Sequence, residues 1–302
     1  MMQWQWESAT AGAVAGFATV VTLHPLDIVR TRFQVSDGHT RLPKYKNTPH
    51  ALYTIARSEQ GLRGLYAGLF PAILGSSLSW GLYFLFYNNA KVRHQQRVGG
   101  ELGPGLHLLS AAEAGALVSV FTNPVWLVKT RLQLQPPGHG PHRPYKGFTD
   151  ALRRIIQDEG WWALYKGLGP GLLLVSHGAL QFMAYEESRK IGIAFRLKNS
   201  NKDELHEEDP LSSVDYLLLG ASSKLFAVFF TYPFQVIRSR VQQRPSTEEA
   251  TYYKNSWVAL KSTLRHEGVR GLYKGIFPNL LRVVPSSSIT FLVYEKVKKV
   301  LM

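Results

Sequence analysis

Almost the same eight residues occur three times in this chain, and each copy opens with a proline. The copies are PLDIVRTR at 25–32, PVWLVKTR at 124–131 and PFQVIRSR at 233–240. Their prolines lie 99 and 109 residues apart, so a unit of about one hundred residues is written three times. A repeat of this length limits the fold to three similar modules in one chain.

Further landmarks recur in step with these prolines. A glycine ends an aromatic turn in each copy, and a second proline follows three residues later, as in Gly68 and Pro71, Gly167 and Pro170, Gly275 and Pro278. We therefore divide the chain into repeat 1 at 1–100, repeat 2 at 101–198 and repeat 3 at 211–302. The polar, acidic segment 199–210 is a linker between repeats 2 and 3.

Each repeat supplies two segments that are long enough to cross a membrane at about 1.5 Å per residue. The mean hydropathy is only −0.10, which alone favours a soluble protein. However, helices that line a wet cavity carry polar residues on one face, and this dilutes the hydropathy signal. A soluble helical solenoid is disfavoured, because such repeats are usually 20 to 50 residues long. The six predicted spans are 8–35, 71–93, 104–133, 168–195, 212–242 and 277–301.

The charge pattern predicts the orientation. The formal charge is +14, and basic residues accumulate in the loops between spans 1 and 2, 3 and 4, and 5 and 6. By the positive-inside rule these loops share one side, here called the inner side, and both termini lie on the other. Each loop also contains a short amphipathic stretch, near 47–59, 147–158 and 255–267.

Several function classes lack a supporting pattern. The chain has no Cys, so disulfides and thiolate metal sites are excluded. It has no Walker loop, HExxH or GxSxG, so an enzyme has no catalytic constellation, and we expect no cofactor and no metal. The basic residues are divided among three loops instead of gathering beside aromatic residues, which disfavours nucleic acid as a partner.

Together these features resemble the mitochondrial carrier family, also called solute carrier family 25, over nearly the whole chain. The family pattern is proline, any residue, an acid, two residues and a base, then a loop that ends in acid-Gly and aromatic-Lys-Gly, three times. The resemblance implies an all-α membrane protein, a monomeric six-helix bundle with pseudo-threefold symmetry. It also implies a central substrate site, alternating access between two salt-bridge gates, and an anionic lipid such as cardiolipin as a partner at the inner side.

The gate positions depart from the family pattern. At the inner gate only repeat 1 keeps its acid, whereas Trp126 and Gln235 replace the other two. At the outer gate Asn88 replaces the first acid. Since bases without partners are available to an anion, we expect a weak inner gate. The gate residues implied by the resemblance are Asp27, Arg30, Lys129 and Arg238 on the inner side, and Lys91, Glu186, Arg189, Glu295 and Lys298 on the outer side.

A tryptophan at the second acid position resembles the branch of the family that carries pyrimidine nucleotides, NAD, FAD and folates. The strings SWGLYFLFYN at 79–88, SAAEAGALVS at 110–119 and SHGALQFMAYE at 176–186 are similar to the folate and FAD carriers. We predict transport of folates across the chloroplast envelope membrane. The alternative is an FAD carrier of the mitochondrial inner membrane.

Candidate substrate residues follow from helical register. Counting back from the outer gate brings Arg282, His177, Gln181 and Tyr83 to one face of the even-numbered spans. A midplane Arg needs a partner or water, and its planar fork suits a carboxylate or phosphate.

The odd-numbered spans add Lys224 and Glu113. Arg282 and Lys224 could hold the glutamate tail of a folate, and Glu113 its pterin, with Trp80, Tyr83 or Trp126 stacking on the ring. Two alternatives stay open. Glu113 could pair with Lys224 inside the bundle, and Trp126 and Gln235 could simply pack at the helix crossing.

Overall fold

The computed structural model describes residues 2–37, 42–57, 61–100, 102–135, 144–199, 211–244 and 253–301, and within these ranges its regular elements are helices. The predicted all-α fold with three repeats is confirmed. Apart from Asn199, the predicted linker 199–210 lies outside the described residues. The helices are Met2–Val35 (α1), Thr48–Arg57 (α2), Gly61–Gly64 (α3), Leu69–Val98 (α4), Pro104–Gln133 (α5), Phe148–Glu159 (α6), Leu168–Leu173 (α7), Ser176–Asn199 (α8), Ser213–Gln242 (α9), Ser256–Gly271 (α10) and Ile276–Leu301 (α11), with a short 3₁₀ helix at Trp161–Tyr165.

Five helical segments are long and apolar enough to cross a membrane. The fourth predicted span differs, because it is divided into α7 and α8. Backbone hydrogen bonds from Val175 to Leu172 and from His177 to Leu174 bridge the break, both at 3.1 Å. Since α7 and α8 follow each other in this way, the six-span arrangement is kept. The five segments are Thr10–Val35, Gly61–Val98, Pro104–Gln133, Val214–Gln242 and Ile276–Val300.

The repeated proline lies inside each odd-numbered span, at Pro25, Pro124 and Pro233. Proline lacks a backbone N–H and clashes with the preceding turn, which favours a bend. The residue before each proline ties this point to the aromatic turn of its own repeat. These bonds join His24 Nε2 to the Ala67 carbonyl at 3.0 Å, Asn123 Nδ2 to the Leu164 carbonyl at 2.7 Å, and the Tyr232 hydroxyl to the Lys274 carbonyl at 3.0 Å.

The glycine that ends each aromatic turn has a positive φ and lies against the next repeat. A Cβ on Gly68 would come within 3.1 Å of the Lys129 carbonyl, and one on Gly275 within 2.9 Å of the Arg30 carbonyl. Gly167 lies equally close to the side chain of Gln242. Repeat 1 therefore contacts repeat 2, repeat 2 contacts repeat 3, and repeat 3 contacts repeat 1, which closes a ring.

The short amphipathic helices α2, α6 and α10 cover the inner side of this ring. Their buried alanines, Ala51, Ala151 and Ala259, occupy equivalent positions in the three apolar clusters. In repeat 2, for example, Ala151 and Ile155 pack with Leu127 and Val128 of α5. Along the ring, α1 packs with α11, α4 with α5, and α8 with α9. The long helices surround a cavity whose inner end lies at the proline motifs.

Candidate substrate-binding site

The cavity has a volume of about 530 Å³ and is lined by side chains from all three repeats. Its charges are strongly unbalanced, because five cations face one carboxylate. The carboxylate is Asp27, and the cations are Arg30, Lys129, Lys224, Arg238 and Arg282. A cavity with this excess of positive charge favours an anion with two or more negative charges.

Asp27 is shared by three of these cations. Its carboxylate oxygens lie 2.5 Å from Lys129 Nζ, 3.7 Å from Arg30 Nη1 and 3.8 Å from Arg282 Nε. Gln133 Nε2 also donates to it, at 3.1 Å. Asp27 of repeat 1 therefore forms an ion pair with Lys129, the base of repeat 2. This pair closes the inner side of the cavity between the two repeats.

At the other two acid positions the contact between neighbouring repeats is weaker, because no ion pair is formed there among the described residues. Gln235 accepts a hydrogen bond from Arg30, so a neutral amide replaces the ion pair between repeats 3 and 1. Between repeats 2 and 3, no carboxylate of the described residues lies within 4 Å of Arg238. Its guanidinium donates instead to Asn123 Oδ1 at 3.3 Å. We call this set the ion-pair layer (Asp27, Arg30, Trp126, Lys129, Gln235 and Arg238), and its threefold symmetry is broken.

Trp126 packs at a helix crossing and also lines the cavity, so the packing alternative is confirmed and the stacking of a substrate on its ring stays a prediction. A Cβ on Gly75 of α4 would lie 3.3 Å from the Trp126 ring. The absence of a side chain at Gly75 therefore makes room for the indole. Lys129 Nζ lies 5.3 Å from the centre of the same ring, as in a cation–π contact.

A second layer lies four residues beyond the bases, about 6 Å closer to the inner side. We call it the glutamine layer (Gln34, Gln133 and Gln242). Hydroxyls donate to the side-chain oxygens in cyclic order, Thr31 to Gln133 at 2.8 Å, Thr130 to Gln242 at 3.0 Å and Ser239 to Gln34 at 2.7 Å. Arginine Nε atoms donate to the backbone oxygens of the same residues, Arg32 to Gln133, Arg131 to Gln242 and Arg240 to Gln34, at 3.0 to 3.1 Å.

The same arginines connect this layer to the surface helices. Arg131 donates two hydrogen bonds to Glu159, and Arg240 donates two to Glu267. Burial acts to raise the pKa of both carboxyls. Hydrogen bonds from the arginines, and from Lys166 and Lys274, outweigh it and hold the pKa of Glu159 and of Glu267 below the usual value.

Repeat 1 makes a different connection at this level. Arg32 donates to the hydroxyl of Tyr45 at 2.8 Å. Gln60, which replaces the acid at this point of the repeat, lies outside the described residues. Within the described part of the chain, this outermost ion pair is therefore present in repeats 2 and 3, as Arg131–Glu159 and Arg240–Glu267.

The upper part of the cavity contains Lys224 and His177. His177 Nδ1 lies 2.9 Å from Thr231 Oγ1, which joins α8 to α9. Lys224 lies on the same face of α9, seven residues before Thr231. Within the described residues, no carboxylate lies within 4 Å of the Lys224 ammonium group. Lys224 is therefore available to bind an anionic ligand.

Comparison with known sequences agrees with the repeat structure. The profile described as mitochondrial carrier protein matches residues 3–97, 100–194 and 209–302. The chain belongs to the mitochondrial carrier family. The carrier is therefore a helical membrane protein of three homologous repeats, as its sequence predicts.

The relatives of this carrier are named as transporters. It is 60% identical over 300 residues to folate transporter 1, chloroplastic, of Arabidopsis thaliana, with 99% of this chain and 96% of the relative covered. It is 36% identical to nicotinamide adenine dinucleotide transporter 1, chloroplastic, of the same plant, with 98% and 92% covered. A third relative, nicotinamide adenine dinucleotide transporter 2, mitochondrial, is 37% identical, with 95% and 77% covered.

Four of the eight substrate residues predicted from the sequence line the cavity of the carrier. These are Arg282, Lys224, His177 and Trp126. Gln181 is half-buried outside the lining. Trp80 is 64% exposed and stacks on Phe84, and Tyr83 stacks on Tyr87. The proposed stacking of a substrate on Trp80 or Tyr83 therefore has no support from their positions.

The alternative in which Glu113 pairs with Lys224 is contradicted, whereas its contact with a pterin stays a prediction that its position does not support. Glu113 neither lines the cavity nor pairs with Lys224, because it forms ion pairs with Arg93 and His94 of α4. It stands two residues from Gly115, which is equivalent to the cavity residue Lys224. Two residues turn an α-helix by about 200°, so Glu113 lies on the opposite face of its helix from that position.

The predicted outer gate differs from the inner one. Arg189 lies over the ring of Tyr216 and Lys298 over the ring of Tyr294, each at 6.0 Å. Within the described residues, no ion pair of 4 Å or less joins Lys91, Glu186 or Glu295 to another residue. The inner side is thus the closed side, since the ion pair between Asp27 and Lys129 is formed there.

The glutamine layer and Asn123 were missed by sequence reasoning. A signal for the layer was present, because a glutamine follows each repeated proline by nine residues. Asn123 had no such signal, since repeats 1 and 3 have His24 and Tyr232 at the equivalent position.

Proposed function

We propose that this carrier transports folates across the chloroplast envelope membrane by alternating access. The observation that carries the proposal is the cavity in which five cations face a single carboxylate. Folates end in a glutamate with two carboxylates, so their charge matches this excess. The name of the relative that is 60% identical, a chloroplastic folate transporter, supports folate among the possible dianions.

Arg282 and Arg238 are the proposed anchors of the glutamate tail. The Nε atoms of Arg282 and Arg30 are buried and have no hydrogen-bond acceptor among the described residues. A guanidinium donates in a planar fork that matches a carboxylate. The family pattern would pair Arg238 with an acid at the position of Trp126, so a substrate carboxylate could provide the negative charge that the protein omits.

FAD, or a related nucleotide, in the mitochondrial inner membrane is the second candidate. A pyrophosphate would suit the same cations, and two relatives at 36 to 37% identity are named as transporters of nicotinamide adenine dinucleotide. We further propose that the carrier works as a monomer, that it contacts anionic lipid such as cardiolipin at the inner side, and that it catalyses no reaction and needs no cofactor.

Uptake into liposomes that contain the purified carrier tests the substrate. Labelled 5-formyltetrahydrofolate, FAD and NAD should be compared side by side, and we expect uptake of the folate to be the fastest. Faster uptake of FAD or NAD, with little folate entering, would replace folate by the second candidate.

The same assay tests the anchor. Arg282→Ala should abolish folate uptake, because it removes a cation that contacts the substrate, whereas Arg282→Lys should retain part of it. Arg270→Ala is the matched control, since Arg270 is exposed on α10, outside the cavity. Folded Arg282→Ala protein that transports at the original rate would remove Arg282 from the site.

A further inference from the structure

The cavity contains a hydrogen-bond acceptor that the described residues leave unused, the Nε2 atom of His177. His177 lies on α8 and lines the cavity together with Lys224 of α9. Its other ring nitrogen, Nδ1, lies 2.9 Å from Oγ1 of Thr231. Which nitrogen carries the proton in the neutral ring decides what Nε2 can bind.

Thr231 determines the position of that proton. Its side chain is fully buried, and its hydroxyl donates its only hydrogen to the Ala227 carbonyl at 2.7 Å. With that hydrogen directed to the Ala227 carbonyl, Thr231 Oγ1 accepts from His177, and we assign the ring proton to Nδ1. Nε2 of the neutral ring then carries a lone pair, and no described residue donates a hydrogen bond to it.

Most other acceptors in the cavity already receive a hydrogen bond from the protein. Arginine and lysine side chains can only donate. The carboxylate and amide oxygens of the lining each accept a hydrogen bond from the protein, at Asp27, Gln34, Gln235, Gln242 and Asn279. His177 Nε2 is the ring nitrogen of the lining that receives none from the described residues, so it is an acceptor open to a ligand that presents an N–H group.

His177 is also separated from Arg282, one of the two proposed anchors of the anionic tail. It belongs to the packed pair α8 and α9, which also carries the other anchor, Arg238, whereas Arg282 belongs to the packed pair α1 and α11. In the threefold alignment His177 is equivalent to Ser286, one helical turn, or about 6 Å, above Arg282. A ligand held by its carboxylates at Arg282 can extend across the cavity toward His177.

We propose that His177 is a specificity-determining residue whose Nε2 accepts a hydrogen bond from the ring N–H next to the carbonyl of the pterin. This inference rests on the proposed function, since folates carry that N–H at N3, beside the carbonyl at C4. His177 thereby takes the role of pterin acceptor that the sequence suggested for Glu113.

Folic acid and aminopterin form a matched pair of ligands for this proposal. They share the glutamate tail, but aminopterin has an amino group in place of the C4 carbonyl, so its N3 has no hydrogen and presents a lone pair. Two acceptors would then face each other at His177. We expect the purified full-length carrier to bind folic acid about tenfold more tightly than aminopterin, because one hydrogen bond is exchanged for a repulsive contact.

Two substitutions separate the role of Nε2 from that of Nδ1. The amide of His177→Gln can place an oxygen near the position of Nε2 and keep an acceptor in the cavity. The amide of His177→Asn reaches only the position of Nδ1, so it keeps the bond to Thr231 and loses the acceptor. We expect His177→Gln to retain most of the preference for folic acid, and His177→Asn to bind both compounds within about twofold of each other.

Thermal unfolding of each variant gives the second measurement. A purely structural role for His177 predicts that stability alone changes, with His177→Gln the less stable protein and the preference for folic acid unchanged in both variants; that result would overturn the inference. So would wild-type carrier that binds folic acid and aminopterin equally. Wild-type carrier that binds neither compound but transports FAD would overturn the proposed function as well.

Discussion

The ion-pair layer and the glutamine layer lie one turn apart on the inner side, and they treat the threefold symmetry differently. In the ion-pair layer one acid, Asp27, serves three cations, and Trp126 and Gln235 replace the other two acids. In the glutamine layer all three hydroxyl-to-glutamine bonds and all three arginine-to-carbonyl bonds are present.

This difference separates two tasks that the family pattern combines. Neutral hydrogen bonds of the glutamine layer can hold the three repeats together when the inner side closes. The cations of the ion-pair layer are then only partly used for closure, and a substrate anion can interact with them. The loss of two acids thus increases the positive charge of the cavity without removing the contacts between repeats.

The largest expected effect comes from removing the remaining acid. Asp27→Asn leaves Lys129, Arg30 and Arg282 without a carboxylate. Breaking a buried pair in this way typically costs about 3–5 kcal/mol. We expect a large fall in the free energy of unfolding, measured by thermal unfolding in detergent, together with loss of folate uptake.

Asp150→Asn is the matched control for this change. Asp150 pairs with Arg154 at 2.9 Å on the surface helix α6, outside the cavity. Surface pairs contribute about 0–1 kcal/mol, so this variant should unfold near the wild-type temperature. Equal losses in the two variants would show that Asp27 has no special place in closure.

The next effect separates the glutamines within their layer. Gln133 accepts from Thr31 and donates to Asp27, so it connects both layers, whereas the amide nitrogen of Gln34 has no hydrogen bond in the described residues. At about 1 kcal/mol for each hydrogen bond, Gln133→Ala should cost about 2 kcal/mol and Gln34→Ala about 1 kcal/mol. Thermal unfolding of the two variants measures the difference. A larger loss for Gln34→Ala would contradict the proposed connection between the layers.

The sequence predicted the features that depend on repetition. Three prolines in register identify equivalent positions, and symmetry then names the partner of each, so the pairing of Asp27 with Lys129 follows from the order of the repeats. The cavity residues Arg282 and His177 follow from helical register, because residues four apart share one face of a helix, and Lys224 and Trp126 follow from their places relative to the repeated proline.

The sequence could not predict features that depend on how each helix is rotated against its neighbours. Glu113 is a charged residue inside a span, and such residues usually face the bundle interior. Here Arg93 and His94 of the adjacent helix α4 provide partners on another face. Trp80 also lies outside the cavity lining, and it stacks on Phe84 of its own helix.

A smaller effect, at acidic pH, tests the outermost connections of the glutamine layer. The pKa values of Glu159 and Glu267 are lowered in the folded protein, so their contribution is present above the unfolded carboxyl value of about 4.3 and is lost as the pH falls through the lower folded values. The melting temperature of the wild type should therefore change little down to about pH 5 and fall as the pH is lowered below about 4.3. The double variant Glu159→Gln, Glu267→Gln should be less stable at pH 7 and lose less on acidification. Parallel curves for the two proteins would assign the acid sensitivity to other groups.

The smallest effect on stability, and the most informative for transport, is expected from restoring an acid to repeat 3. Gln235→Glu would convert the hydrogen bond from Arg30 into an ion pair and make the two layers more alike in symmetry. Hydrogen bonds to charged groups exceed neutral ones by about 1 kcal/mol, so the melting temperature should rise slightly. Folate uptake should slow, with a higher KM, because the cavity loses one unit of net positive charge and the closed inner gate is stabilised.

Gln235→Ala, which removes the hydrogen bond without adding a charge, is the control and should leave KM closer to the wild-type value. A lower KM in Gln235→Glu would mean that the missing acids do not serve anion binding, and the division of tasks between the two layers would have to be abandoned.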